Sequence, residues 1–136
     1  TGEYVQKTKD YLSKNNHLSN ATFWGQQTRS EVQVLLKNAE CFIMISEMET
    51  FGLVYLEAMA KGLITIASKG EGMDGVIKHN VNGFLSSAGN ADALFQLIRT
   101  INHLSEEQIS KISSGALNSA RKLTDVSVAK HYIESI

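Results

Sequence analysis

Apolar positions recur along the chain with two different periods, and the switches between them mark out the elements. Tyr4, Val5, Tyr11 and Leu12 lie about two turns apart, so Tyr4 to Asn15 reads as an amphipathic helix. "ATFW" at Ala21 to Trp24 reads as a short strand ending at Gly25. In "TRSE" the Thr28 hydroxyl is placed to take the Glu31 amide while Glu31 reaches back, a reciprocal pair that opens a helix. Val32, Leu35, Leu36 and Ala39 then share one face. Cys41 to Ile45 is continuously apolar, the pattern of a strand buried on both faces. The next apolar helix starts near Leu53 and ends at Gly62, a natural left-handed C-cap. "LITIAS" at Leu63 to Ser68 is another strand, "KGEGMDG" a glycine-rich loop, and the Asn-Gly turn in "NVNGFLSS" precedes a very short strand. Leu94, Leu97, Ile98 and Ile101 line one side of a helix from Asn90 to Leu104. "SEEQ" caps a further helix from Ser105 to about Leu123, and Thr124 starts a last one to Ile136.

Strands alternating with helices predict an α/β fold, a Rossmann-like parallel sheet with flanking helices. Such a sheet takes ligands in the crevice beyond its strand C-termini. Glu49 stands there, just after the strand at Cys41. Opening on a helix is unusual for this class, so the expectation is that one or more first strands are missing or belong to a longer parent. No repeat or low-complexity run divides the 136 residues, which suit one domain with a sizeable core.

Charge and composition narrow the functions. The net charge of −1 and the lack of any basic run longer than two residues argue against a nucleic-acid surface. The longest wholly apolar run, "CFIMI" from Cys41, is far too short to span a bilayer. With no signal peptide and a single cysteine, the expected setting is reducing and cytoplasmic, with Cys41 packed inertly in the core. His17, His79, His103 and His131 are scattered, and no pair has metal-ligand spacing on one helix face. Gly70, Gly72 and Gly75 lack the Lys-Ser/Thr of a phosphate loop, and Ser46 and Ser68 lack the nucleophile-elbow pattern.

The chemistry concentrates in "EMETFGLVYLEAMAKG", Glu47 to Gly62. A helix start offers unpaired amides and partial positive charge, and Gly52 lets a ligand approach the Leu53 and Val54 backbone. Glu57 lies one turn on, roughly 6 Å along the axis, where an acceptor-only carboxylate suits the vicinal diol of a ribose. Glu49, on the loop, is placed for hydroxyls at the other end. Two plainer readings stand beside this one. Glu57 with Lys61 makes an i,i+4 pair, and Glu49 lies where a carboxylate favours the helix dipole.

The longer string "ISEMETFGLVYLEAMAKGLITIAS", followed by "NVNGFL", resembles the C-terminal donor-binding domain of retaining GT-B glycosyltransferases, the large family four group. The family pattern is Pro-Ser, two residues, Glu, one residue, Phe-Gly, then Glu-Ala-Met-Ala, one residue, Gly. Ser46, Glu49, Phe51, Gly52, Glu57, Ala58, Met59, Ala60 and Gly62 fall in register with it. The resemblance covers Ala21 to Leu85 closely and the flanks by element order.

It implies the following. Glu49, at the reacting end of the donor, holds sugar hydroxyls with the backbone around Thr50, Phe51 and Gly52; Leu53 and Val54 face the diphosphate. Glu57 holds the ribose, and Gly25 and Gln26 lie near the base. The donor is a UDP- or GDP-hexose, transferred with retention and with no cofactor or metal to a glycan or lipid acceptor. The chain is then a partial donor-binding domain, inactive alone, whose acceptor-binding N-terminal domain lies outside it. The parent is cytoplasmic, at the inner membrane face, and serves polysaccharide biosynthesis. A nucleotide-sugar epimerase fragment and a non-catalytic Rossmann-like nucleotide-binding or interaction module remain the alternatives. Three departures stand out: Ile45 replaces the common proline, Gly75 stands where many members place a glutamate, with Asp74 adjacent, and the family's Arg and Lys for the diphosphate lie upstream of Thr1.

Overall fold

The computed structural model describes residues 3–48 and 52–123. Its contacts divide the chain into two compact units, Thr1–Val34 and Leu35–Ile136. The expected last helix from Thr124 lies outside the described residues.

In the first unit α1 spans Glu3–Lys14, followed by a single 3-10 turn at Leu18–Asn20. The amphipathic helix expected from Tyr4 forms, but no residue of α1 is buried, and Tyr4 and Tyr11 of its apolar stripe are exposed. "ATFW" forms no strand. Ala21 is extended, but no described segment of this unit offers a ladder partner, and a strand without one leaves its amides to solvent. α2 runs Arg29–Lys37, its residues from Leu35 on counted with the second unit, and begins as its sequence predicts. The Thr28 amide donates to Glu31 Oε2 at 2.7 Å while the Glu31 amide donates to Thr28 Oγ1 at 3.4 Å. The Thr28 amide, and then its hydroxyl, hold the Glu31 carboxyl below its usual pKa.

The second unit is built on β1 (Cys41–Ile43), β2 (Ile64–Ser68) and β3 (Phe84–Ser86), parallel throughout and in the order β1-β2-β3. Cys41 lies opposite Ile64, and Ile66 opposite Phe84. α3 (Leu53–Met59) crosses from β1 to β2, and α4 (Ala91–Asn102) and α5 (Glu106–Lys122) follow β3. Among the described strands only β2 is paired on both sides, and all five of its residues are buried. Its alternate residues serve two cores. Ala67 meets Tyr55 and Met59 of α3 and Ala116 of α5; Ile64 and Ile66 pack with Phe84, Ile112 and the α4 face Leu94, Leu97, Ile98 and Ile101.

β1 departs from its predicted burial. The run Cys41–Ile45 forms only a three-residue strand, paired with β2 alone, and Cys41 and Ile43 are exposed. Cys41 is therefore not a core residue. Desolvation of its thiol still pushes the pKa up to about 11, which keeps it a poor nucleophile for a different reason. Elsewhere the boundaries agree closely with the sequence. The chain leaves α3 through Gly62 at φ 75°, the Asn90 side chain caps α4, and Ser105 with Gln108 closes a full capping box on α5.

Candidate functional site

The loop leaving β1 is held from two directions. The buried Tyr55 of α3 donates its hydroxyl to the Met44 carbonyl at 2.7 Å, and Ser68, ending β2, donates to the Ser46 carbonyl at 2.7 Å. The Glu47 side chain reaches the loop after β3; a Cβ on Gly89 would lie 3.3 Å from Glu47 Oε1. Met48 follows with φ 68°, unusual for a residue bearing a Cβ, and is almost wholly exposed. The chain beyond β1 is thus aimed across the C-terminal ends of β2 and β3, the side on which open parallel sheets take ligands.

Glu49, Thr50 and Phe51 lie outside the described residues. The chain resumes at Gly52, whose φ of 52° and ψ of 73° a residue with a Cβ adopts only at a cost. Gly52 is the N-cap of α3, its carbonyl accepts the Tyr55 amide at 3.0 Å, and as a glycine it brings no side chain to cap this helix start. Leu53 is exposed, while Val54 and Glu57 are half-buried. Among the described residues no ion pair joins Lys61 to Glu57, although they are one turn apart. Gly52, Leu53, Val54 and Glu57 therefore stand together on one short element. Gly25, at φ 66°, and the exposed Gln26 belong to the other unit.

The glycine-rich segment after β2 is a closed turn: the Gly70 amide donates to Asp74 Oδ2 at 2.6 Å, and the Lys69 amide to the Ser86 carbonyl at 2.8 Å. Asp74 is thus committed to the loop's own backbone. Ser86, in register with Ser68, is buried with its hydroxyl unpartnered. Two residues that shape the site carried no local signal. Tyr55 reads as an apolar helix position and Ser68 as a strand end; their bonds join positions 11 and 22 residues apart in sequence. Among the described residues no three His, Cys, Asp or Glu side chains are grouped as metal ligands, and no helix is long and apolar enough to cross a membrane.

Against known proteins, residues 1–116 match the family model described as glycosyl transferases group 1. N-acetyl-alpha-D-glucosaminyl L-malate synthase of Bacillus anthracis is 38% identical over 93 residues, which are 65% of this chain and 24% of the relative. Sulfoquinovosyl transferase SQD2 of Arabidopsis thaliana is 34% identical over 86 residues, 61% of this chain and 17% of the relative. Among solved structures, Anabaena HepE in complex with UDP and glucose superposes with a TM-score of 0.84 at 25% identity, covering 98% of this chain and 36% of HepE. These matches span a quarter or less of each curated relative and about a third of the solved chain.

Proposed function

The chain belongs to the group 1 glycosyl transferases, and from that premise we propose that it is the nucleotide-sugar donor-binding part of a retaining family four hexosyltransferase. What carries the reading is that family match across 1–116, which takes in β1, the following loop and α3. A GT-B neighbour over 98% of the chain is itself bound to UDP and glucose, which adds to it. Family membership favours glycosyl transfer over the epimerase and binding-module alternatives.

In this reading the Gly52 turn brings the Leu53 and Val54 amides toward the diphosphate, and Glu57 accepts the ribose hydroxyls. Glu49 takes hydroxyls of the hexose at the reacting end, beside Thr50 and Phe51, and Gly25 and Gln26 attend the base. Tyr55 and Ser68 fix the loop that delivers Glu49. No nucleophile is assigned to the protein. Departure of the nucleoside diphosphate is assisted by fixed dipoles and cations aimed at the charge it develops, part of them supplied from outside these 136 residues. An acceptor-binding domain beyond this chain would hold the glycan or lipid hydroxyl against the anomeric carbon, an orientation worth roughly 7–11 kcal/mol of barrier.

The test is a titration of UDP, GDP and UDP-glucose followed by amide resonances. Shifts confined to residues 49–57 and 25–26 are expected. No response of residues 49–57 at millimolar nucleotide would defeat the donor reading, and nucleotide binding without transfer by the full-length protein would return it to a binding module.

A further inference from the structure

Beyond the donor crevice, the second unit carries a cationic trough at the other end of its sheet. Two adjoining cavities of about 490 and 400 Å³ share Thr100, Leu104 and Gln108 in their walls. Arg99, His103 and Gln96 complete the first, and Lys111 and Asn80 the second. Asn80 precedes β3 and Thr100 lies near the end of α4, so the trough sits at the N-terminal end of β3, away from the strand C-termini and the start of α3.

Its charge is one-sided. Among the described residues no Asp or Glu lines either cavity, although the chain as a whole carries 14 acidic and 13 basic residues. Neither Arg99 nor Lys111 pairs with a carboxylate among the described residues. The Arg99 guanidinium lies 6.0 Å from the Phe95 ring centroid, which steadies it without using its N–H donors. His103 Nδ1 is 2.6 Å from the Arg99 carbonyl. A carbonyl can only accept, so that nitrogen holds the proton and Nε2 is left for a ligand. A cation in the last turn of a helix also complements its dipole, which accounts for Arg99 in α4. It does not account for Lys111, in the N-terminal half of α5.

We propose that this trough binds a short saccharide bearing carboxylates, with Arg99 and Lys111 as the cations at its two lobes. The Gln96 and Asn80 amides supply donors and acceptors for sugar hydroxyls between and around them. Among the described residues no Phe, Tyr or Trp lines the trough, so none of them offers a stacking platform for a nucleobase. Two adjoining depressions with one cation in the wall of each suit a ligand that carries more than one anionic group. The site is independent of the donor reading.

The experiment uses the full-length protein with tetragalacturonate, neutral maltotetraose and inorganic phosphate, measured by calorimetry. Tetragalacturonate should bind more tightly than maltotetraose by about tenfold, and R99Q/K111Q should lose about tenfold in its affinity, with UDP-glucose binding unchanged. Added salt should weaken tetragalacturonate binding to the native protein, which tests the charge contribution without any variant. Equal binding of the neutral tetramer, salt-insensitive binding or an unaffected double variant would overturn the proposal. So would displacement of the uronate by equimolar inorganic phosphate, which would mark a simple anion site.

Discussion

The hydroxyl of Tyr55, in the first turn of α3, donates to the carbonyl of Met44 at 2.7 Å and so ties the helix to the loop that leads into Glu49. The Tyr55 ring is fully buried, packed edge-on to Phe42 with centroids 5.5 Å apart. Tyr55→Phe keeps that packing and removes the bond, at a cost of about 1 kcal/mol in stability. If the bond also sets the loop, donor affinity should fall by up to about fivefold, since 1 kcal/mol of lost preorganisation translates to that factor. Denaturant melts and UDP-glucose titrations of Tyr55→Phe and Ser68→Ala check this. Loss of stability with unchanged donor affinity would confine both residues to a packing role.

Glu57→Gln separates ligand from scaffold. The substitution keeps the shape and removes the charge that accepts two hydroxyls, so UDP binding should weaken by roughly 1.5–3 kcal/mol, the range for a charge-assisted hydrogen bond. Stability should change little. Lys61→Ala, one turn away and not paired with Glu57, should leave nucleotide binding as it is. Equal small losses of stability in both variants, with binding unaltered, would show that Glu57 is only a helix surface charge.

Gly115 of α5 is expected to reject even alanine. A Cβ there would lie 2.5 Å from the Val81 carbonyl oxygen and 3.3 Å from the Asn82 Cα, both backbone atoms. Asn82 beside it is buried and cannot yield easily, since it receives the Lys78 amide and donates to the Val76 carbonyl and the Ser119 hydroxyl. Helix propensity favours Gly115→Ala by about 1 kcal/mol, but overpacking costs ~1–3 kcal/mol and should win. The exposed neighbour Ser114→Ala should be neutral or slightly stabilising. Thermal unfolding of the two variants gives the comparison, and a more stable Gly115→Ala would show that α5 can shift away.

Metal independence is the fourth expectation. The donor reading neutralises the diphosphate with backbone amides and cations, and no pair of histidines in the chain has metal-ligand spacing on one helix face. EDTA should therefore leave UDP-glucose affinity and the transfer activity of the full-length protein largely unchanged. A strict requirement for magnesium or manganese would contradict this.

The sequence by itself determined the elements whose signals are local. The 3.6-residue stripe of Leu94, Leu97, Ile98 and Ile101, the reciprocal caps at Thr28 and Ser105, and the left-handed exit at Gly62 all depend on residues a few positions apart. Membership of the glycosyl transferases was equally legible, because residues in register with the family pattern run from Ser46 to Gly62 in one short string. Tertiary structure decided what depends on partners distant in sequence. "ATFW" has strand-forming residues but no described ladder partner, and Cys41–Ile45 has the composition of a buried strand yet pairs on one side only. Burial is a property of neighbours, and periodicity does not say which neighbours arrive. The same holds for Tyr55 and Ser68: a hydroxyl at an apolar position looks incidental until the fold brings the Met44 and Ser46 carbonyls to it.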